Sequence, residues 1–473
     1  MKHVVFFLVC FLTKETLVQS AGSAPTNTDV KMATYLGDGS TKNINTGLGS
    51  AVDKAGNVYV VGSGQYNFGL HPSGDASKSG YILKLSASNL HPNKIVRMGS
   101  QVTAIITRDT SSGTMIMAQS DLGVGVLDGN LQQKFVAAAN CSVKDCIADL
   151  GRDGTLAVLK RQSRKIEVYN SHGLLTAEKT LGSNHYMEIA VDPVDKRIVL
   201  GYFWQANTHH IPVQIPCIIS FDHSLKNEVW KAYCEGGDEA YTSQNMADSR
   251  VNHIYFSDLD NKLYFAGYTD GGNSVFRYNA LDIAKNGGSL HGLHTMDSSM
   301  KPAYDKYTNT YNFHGAHTLS FLARLNAKTG ASEKGLFVIT RLPNGQGNSV
   351  STNDVAVGHG GTVVASQHSW SFLENRETQT VNGHQTAGYG GGDGVLLVIS
   401  PDFTKRLVWT QFHKTKGHST GVTVAANSVN GKTRVAFIAK SMDAELIQVN
   451  PLHGTGHAHT TATDQYLLVV MDV

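Results

Sequence analysis

The sequence predicts an all-β fold built from several copies of one small antiparallel sheet. Three observations support this prediction: short segments alternate apolar and polar residues, turns rich in glycine and aspartate separate them, and the whole pattern recurs every few tens of residues. Apolar runs with the period of a helix are nearly absent. The 473 residues exceed one average domain, but rings of repeated sheets commonly reach this size as one unit.

The clearest copy of the repeat lies near the amino end of the chain. It runs through Ala33 to Gly39, Gly49 to Gly62 and Gly80 to Leu90. Its turn from Asp53 to Asn57 contains the residue types that tight hairpins need. Further copies lie at 102–129, 147–170, 188–222, 252–279, 354–400 and 421–450. One such sheet cannot bury both of its faces, but copies around an axis can. We therefore expect a single β-propeller over residues 21–473, with about seven four-stranded blades.

The two ends of the chain are predicted to close this ring. Tyr466 to Val473 is a strand with no room for a further copy after it, and Lys31 to Leu36 is a strand before the first copy. A ring of sheets leaves few exposed edges when its termini pair. We expect the carboxyl-terminal strand to complete a sheet begun by the amino-terminal one.

The first copy also resembles the SBBP repeats, a family named for a predicted seven-bladed β-propeller. The resemblance rests on Thr34 to Gly37, Ala51 to Gly62 and Gly80 to Leu85, and Leu407 to Phe412 resembles the opening of the repeat again. It implies the same fold over most of the chain. It implies no catalytic residue, because the family carries none in common.

The amino terminus has the pattern of a cleaved secretory signal over residues 1–20. Met1-Lys2-His3 precedes an apolar run from Val4 to Leu12, and polar and small residues follow it. No later segment has the roughly 18 apolar residues that a membrane span needs. The sequence thus predicts a secreted, extracellular product with no membrane span.

Four cysteines remain after the signal is removed. An even number in an exported chain favours disulfides, and Cys141 with Cys146 and Cys217 with Cys234 are the simplest of three connectivities. A zinc site would need a closer C-x-x-C spacing. Asn140 begins the only N-x-S/T sequon, so we expect a glycan there.

Histidine is the one residue type that could carry chemistry, with 21 copies in the chain. Clusters occur at His314 and His317 and at His453, His457 and His459, so a transition-metal site is one interpretation. Solvated loop residues are the preferred interpretation, because no carboxylate or cysteine lies at metal-ligand spacing. No cofactor is predicted.

Other candidates concern binding. Trp370 and Trp409 could stack sugars at a rim, but isolated aromatic residues more often pack between blades. The segments Ala284 to Asn312 and Gln367 to Gly394 are too long and polar for hairpin loops, and long insertions on rigid scaffolds are where binding surfaces develop. The glycine-rich stretch Gly388 to Gly394 is expected to be a flexible connector.

These features favour a secreted, non-enzymatic propeller that acts as an extracellular binding or matrix scaffold, for instance in a skeletal or cuticular matrix. Its partner would be an extracellular macromolecule or a glycan. Only 16% of residues are charged and the net charge is +2, so no basic field is available for nucleic acid. The alternatives are an extracellular propeller enzyme, either a metal-assisted hydrolase or an oxidoreductase, and a carbohydrate-binding propeller.

Overall fold

A computed structural model describes residues 25–37, 45–137, 141, 145–207, 212–234, 247–271, 274–277, 280–281, 318–341, 347–370, 373, 376–452 and 464–473. This part of the chain is almost entirely β-structure, with short 3₁₀ turns at Val275–Arg277, His359–Gly361 and Arg376–Thr378. No helix within these ranges is long and apolar enough to cross a membrane. The residues of the expected secretory signal and the segment 284–312 lie outside the described ranges.

The first half of the chain forms three blades, each with four antiparallel strands in sequence order. Strands β1 (Asn27–Thr28) and β2 (Met32–Tyr35) precede them. Blade 1 contains β3 (Gly49–Val52), β4 (Val58–Ser63), β6 (Gly80–Leu85) and β7 (Pro92–Arg97), with β5 (Ser73–Gly74) added parallel to β7. Blade 2 contains β8 (Val102–Thr110), β9 (Gly113–Ser120), β10 (Gly123–Asp128) and β11 (Gln133–Ala137). Blade 3 contains β12 (Cys146–Leu150), β13 (Leu156–Lys160), β14 (Lys165–Tyr169) and β15 (Leu175–Thr180).

The second half continues with longer strands and more insertions. Blade 4 contains β16 (His185–Asp192), β17 (Arg197–Asn207), β18 (Pro212–Asp222) and β19 (Glu228–Ala232). Blade 5 contains β20 (Ser249–Ser257), β21 (Lys262–Thr269), β22 (Leu319–Leu325) and β23 (Ser332–Val338), and the pair β24 (Thr340–Arg341) and β25 (Gly347–Asn348) follows it. Blade 6 contains β26 (Val350–Val357), β27 (Val363–Ser369), β30 (Asp393–Ile399) and β31 (Arg406–Gln411). Between its second and third strands lie β28 (Thr380–Val381) and β29 (His384–Gln385).

The last blade is shared by the two ends of the chain. Blade 7 contains β32 (Ser419–Val429), β33 (Lys432–Ser441) and β34 (Gln465–Asp472), and β2 is its outermost strand. The Lys31 N–H donates to the Val470 carbonyl and the Leu36 N–H to the Tyr466 carbonyl, both at 2.8 Å. The predicted closure by the termini is therefore confirmed.

The hydrophobic core is divided among the spaces between blades. Within the described residues there are seven buried clusters, and each joins side chains of two neighbouring sheets. The cluster around Val60 and Ile438 joins blade 7 back to blade 1. The first strands of successive blades also contact one another in a closed circle, from β3 to β32 and back to β3. Because alternate residues of a strand point to opposite faces, every sheet buries both faces against its neighbours. The all-β propeller fold is confirmed.

The hairpin at Asp53 to Asn57 shows why the repeat keeps this turn. The Asn57 N–H donates to Asp53 Oδ1 at 2.8 Å, and the Tyr59 hydroxyl donates to Asp53 Oδ2 at 2.9 Å. Gly56 has a φ of 89°, which residues with a Cβ rarely adopt. The turn joins β3 to β4, the two strands nearest the axis, as the sequence predicts.

Both predicted cysteine pairs are confirmed. The Cα atoms of Cys141 and Cys146 are 5.8 Å apart, in the connection from blade 2 to blade 3. Cys217 of β18 pairs with Cys234, just beyond β19, with Cα atoms 4.3 Å apart. The second bond therefore joins the middle of β18 to the residues that follow the neighbouring strand β19 of blade 4. The sequon residue Asn140 lies outside the described residues.

Candidate functional site

The two faces of the ring differ in their connections. Since every blade starts on the same face, the links between first and second strands and between third and fourth strands all lie on the opposite one, which we call the turn face. These links are tight, as at 53–57, 111–112 and 170–174. The other face, which we call the loop face, holds the links between second and third strands and between blades. It has the long connections 64–79, 233–248, 270–318, 339–349, 370–392 and 442–464.

By their positions in the chain, the histidine clusters fall between strands in two of these connections. His314 and His317 fall in the connection 270–318, and His453, His457 and His459 fall in the connection 442–464; all five lie outside the described residues. Within the described ranges, no group of three or more His, Cys, Asp or Glu side chains is arranged to hold a metal ion. A metal site at the predicted histidines stays an untested interpretation.

The second long insertion is shorter than the sequence suggests. Strand β27 continues to Ser369 and β30 begins at Asp393, because residues 367–369 pair with 393–395 in blade 6. The connection is therefore 370–392. Within it, β28 pairs in parallel with β1 and antiparallel with β29. This small sheet attaches the connection to the amino-terminal segment of the chain.

The two tryptophans that sequence reasoning singled out have different surroundings. Trp409 of β31 is 3% exposed, and the Arg406 guanidinium lies 4.0 Å from the centre of its ring. Packing between blades 5 and 6 leaves no free ring face for a sugar, which corrects the expectation for this residue. Trp370, at the start of the connection 370–392, is 43% exposed. Trp370 therefore remains a candidate for stacking on a sugar ring.

Trp370 belongs to a group of loop-face side chains that we call the Trp370 patch: Trp370, His368, Tyr389, His418 and Asp443. The rings of Trp370 and His368 meet edge to face with centroids 4.1 Å apart. His368 Nδ1 lies 3.1 Å from the Ser419 carbonyl oxygen, and burial lowers the pKa of this imidazole. Farther along, His418 Nδ1 lies 3.0 Å from Asp443 Oδ2. The patch therefore runs from blade 6 to blade 7.

The glycine-rich stretch fits tightly beneath this patch. A Cβ at Gly391 would overlap the His418 ring, one at Gly390 would overlap the backbone of Gly417, and Gly391 has a φ of 135°. Glycine is needed here because backbone and rings approach closely. The expectation of a flexible connector is wrong for this stretch, which packs against its neighbours.

A buried polar network lies below the patch. Arg376 forms two contacts with the Asp393 carboxylate, one of them 3.0 Å long. His413 Nδ1 is 3.5 Å from Asp393 Oδ1, and its Nε2 is 2.5 Å from the Ser419 hydroxyl. The Ser419 oxygen also accepts the Gly394 N–H at 2.7 Å. All four side chains are buried.

Ser419, His413 and Asp393 follow one another in the order of a hydrolase catalytic triad. Their surroundings, however, are not those of an active site. Ser419 is 1% exposed and His413 is fully buried, so a substrate has no path to the hydroxyl. Burial, with the Arg376 charge, lowers the pKa of His413 to about 3, far below the neutral range of an effective general base. These four buried side chains therefore stabilise the structure directly below the Trp370 patch.

A second polar cluster lies in the central channel, a cavity of about 670 Å³ lined by the first strands. His253 Nδ1 is 3.4 Å from Glu188 Oε2. Asp354 accepts hydrogen bonds from the Thr423 hydroxyl at 2.6 Å and the Val424 N–H at 2.9 Å. Burial raises the pKa of both carboxyl groups. Burial alone would lower the pKa of His253, but the charges of Glu188 and Asp354 outweigh this effect, so the pKa of His253 is raised.

Toward the turn face, Arg108 crosses this channel. The guanidinium of Arg108 contacts Asp149 Oδ1 at 3.0 Å and the Leu150 carbonyl at 2.5 Å. Its carbon lies 5.3 Å from the centre of the Tyr255 ring. The side chain thus joins blade 2 to blades 3 and 5. The channel is constricted on this side.

Neither the polar cluster of the central channel nor the buried network below the Trp370 patch was predicted from the sequence. Glu188, His253 and Asp354 each follow a register shift in the first strand of a blade, so they occupy the same position of the repeat. An alignment of the copies to one another would have shown a polar residue at this position. No comparable signal marks Arg376, His413 and Ser419, which come from different connections and strands.

Comparisons with known proteins add little to this geometry. No family model matches the chain, and no curated protein matches it. Among solved structures, the chain is similar to that of U3-55K, with 9% sequence identity and a TM-score of 0.45 over 93% of this chain and 98% of that one. The propeller fold rests on the sheets described above, and the resemblance to the SBBP repeats stays a prediction.

Proposed function

We propose that this chain is a secreted, non-enzymatic propeller that acts as an extracellular binding or matrix scaffold and binds its partner through the loop face. The difference between the two faces carries this proposal. A rigid ring closed by its own termini presents long connections on one side only, and binding surfaces develop on such connections. The resemblance to the SBBP repeats, which share no catalytic residues, agrees with it.

Secretion is supported by two kinds of observation. The amino terminus has the pattern of a cleaved signal, and the structure contains two disulfides, which persist in oxidising compartments. Expression in a secretory host tests this. We expect the product in the medium to begin near residue 21 and to carry a glycan on Asn140. A product retained in the cell with Met1 intact would contradict secretion.

Lysines on both faces allow the binding proposal to be tested within one molecule. Lys414 and Lys416 lie in the loop-face connection 412–418, whereas Lys54, Lys226 and Lys432 lie at the turn face. The protein is cross-linked in an extract of the insoluble extracellular fraction, and the linked peptides are identified by mass spectrometry. We expect partner peptides on the loop-face lysines. Equal labelling of both faces would contradict the proposal.

A carbohydrate partner is the second candidate. One observation favours it: Trp370 is exposed on the loop face next to imidazole and carboxylate groups.

A further inference from the structure

Trp370 has unusual exposure among the tryptophans of this chain. Trp230 and Trp409 are buried, Trp204 packs against a core cluster, and Trp370 is 43% exposed. Leaving a large apolar side chain in water is unfavourable relative to burying it. An aromatic ring left in water at the mouth of a rigid scaffold is a common feature of binding surfaces.

The exposed ring is held in place by its backbone. The Trp370 N–H donates to the Ser349 carbonyl at 3.0 Å, and its carbonyl accepts from Asn348 Nδ2 at 3.1 Å and from the Tyr389 hydroxyl. The His368 ring supports one edge of the indole. A ring that is fixed before binding loses little conformational entropy when a ligand stacks on it.

Polar groups that suit hydroxyls continue from the ring. Asp443 is half exposed, and His418 orients its carboxylate through both the backbone N–H and the imidazole. Tyr389 and His418 are partly exposed as well. Lys416 contacts this region from the side, with its Cε close to Gly388. Acidic and basic groups are therefore mixed, and the patch does not favour a strongly charged ligand.

A pyranose ring with equatorial hydroxyls has two flat C–H faces and a rim of hydroxyl groups. The flat face suits an indole, and the hydroxyls suit a carboxylate and imidazoles, which accept and donate hydrogen bonds. We propose that the Trp370 patch is a subsite for an uncharged β-linked polysaccharide of the chitin or cellulose type. This inference rests on the proposed extracellular binding role and names the class of ligand at the loop face.

The test uses the mature glycoprotein purified from medium, with chitohexaose and cellohexaose as probes. Affinity is measured by calorimetry, and retention on insoluble chitin and cellulose is measured in parallel. We expect binding to at least one hexaose, weakened about tenfold or more in Trp370→Ala, because the stacking surface is lost. Trp370→Phe keeps an aromatic face and should retain part of the affinity. Asp443→Asn should weaken binding to a smaller degree.

Leu174→Ala is the matched control, because Leu174 is 64% exposed on the turn face and should not affect binding. Unfolding midpoints of all variants show whether they remain folded. The inference is overturned if neither hexaose binds, if folded Trp370→Ala binds as well as the wild type, or if only a proline decapeptide binds in a Trp370-dependent way. In each of these cases, cross-links on the loop-face lysines would still support the proposed binding function. Failure of the polysaccharide inference can therefore be distinguished from failure of the proposed function.

Discussion

At the scale of single residues, Arg376 and Asp393 form a deeply buried ion pair, and the neutral imidazole of His413 lies beside it. Asp393 and His413 are fully buried and Arg376 is 1% exposed. Burial raises the pKa of Asp393, and the Arg376 charge acts against this rise. A charge in such a place is tolerable only while its partner is present, because desolvation is costly. The network thus ties blade 6 to the start of blade 7.

Removing one member of this ion pair should be far worse than removing both. We expect Arg376→Met to lower the free energy of unfolding by about 3–5 kcal/mol, because Asp393 is left buried without its partner. The double variant Arg376→Met with Asp393→Leu should recover most of this loss. Urea unfolding of both variants measures the difference. A single variant within about 1 kcal/mol of the wild type would contradict this account.

His413 should make stability depend on pH. Its folded pKa of about 3 lies below the unfolded value of about 6.5, so between these values the unfolded chain binds a proton that the folded chain does not. Stability contributed by the neutral imidazole is therefore lost as pH falls below about 6.5. From pH 7 to pH 5, the free energy of unfolding should fall about 2 kcal/mol more in the wild type than in His413→Asn. If the free energy of unfolding falls equally with pH in the wild type and in His413→Asn, then His413 does not titrate as described.

At the scale of elements, β2 closes the ring although it is only four residues long. Its N–H and C=O groups are used on both sides: it pairs with β34 in register Ala33↔Val469, and Ala33 exchanges hydrogen bonds of 2.8 and 2.9 Å with Val449. Lys31 adds an ion pair with Asp472 at 2.5 Å. The strand therefore covers what would be an open edge of blade 7, a common site of aggregation.

Ala33 offers a direct test of this closure. Ala33→Pro removes the N–H that bonds to Val449 and leaves that carbonyl without its donor, which should cost about 1–3 kcal/mol in addition to any disturbance of packing by the proline ring. Ala33→Gly keeps that N–H and should cost only about 1 kcal/mol. Thermal and urea unfolding compare the two, and light scattering reports aggregation of the proline variant. Equal stability of the two variants would mean that the bond to Val449 does not contribute.

At the scale of the whole molecule, contacts between blades make the ring a single unit. Seven hydrophobic clusters in the described residues join neighbouring blades, and Arg108 joins three blades across the channel. Arg434 links the ends of the ring: it pairs with Asp472 of blade 7 and donates to the Gly56 carbonyl of blade 1 at 2.9 Å. No blade can unfold without exposing a face of each neighbour.

Arg108→Met should destabilise the entire ring together. Asp149 would be left buried without its partner, so we expect a loss of about 3–5 kcal/mol. Because the blades share their cores, tryptophan fluorescence and far-ultraviolet circular dichroism should shift to the same lower midpoint. Leu122→Ala, at an exposed position of blade 2, is the control and should leave the midpoint unchanged. Separate midpoints for the two probes would contradict a single cooperative unit.

The sequence by itself determined those features that depend on neighbours in the chain. Alternation of residues gave strands with two buried faces, the Asp53 to Asn57 pattern gave a hairpin, and short separations paired the cysteines correctly. The closing strand was also predictable, because Tyr466 to Val473 has the alternating pattern of a strand, and this strand pairs with β2 in the structure.

Only the tertiary structure decided which side chains meet and which face the solvent. The sequence does not distinguish Trp370 from Trp409. In the structure Trp370 is exposed, whereas Trp409 is covered by Arg406 and a neighbouring blade. His413 and Asp393 lie twenty residues apart in the chain, yet their side chains approach to 3.5 Å, and buried Arg376 pairs with the same carboxylate. The physical reason is that local patterns set the direction of each side chain within its own sheet, whereas burial and charge pairing depend on the sheet that packs against it.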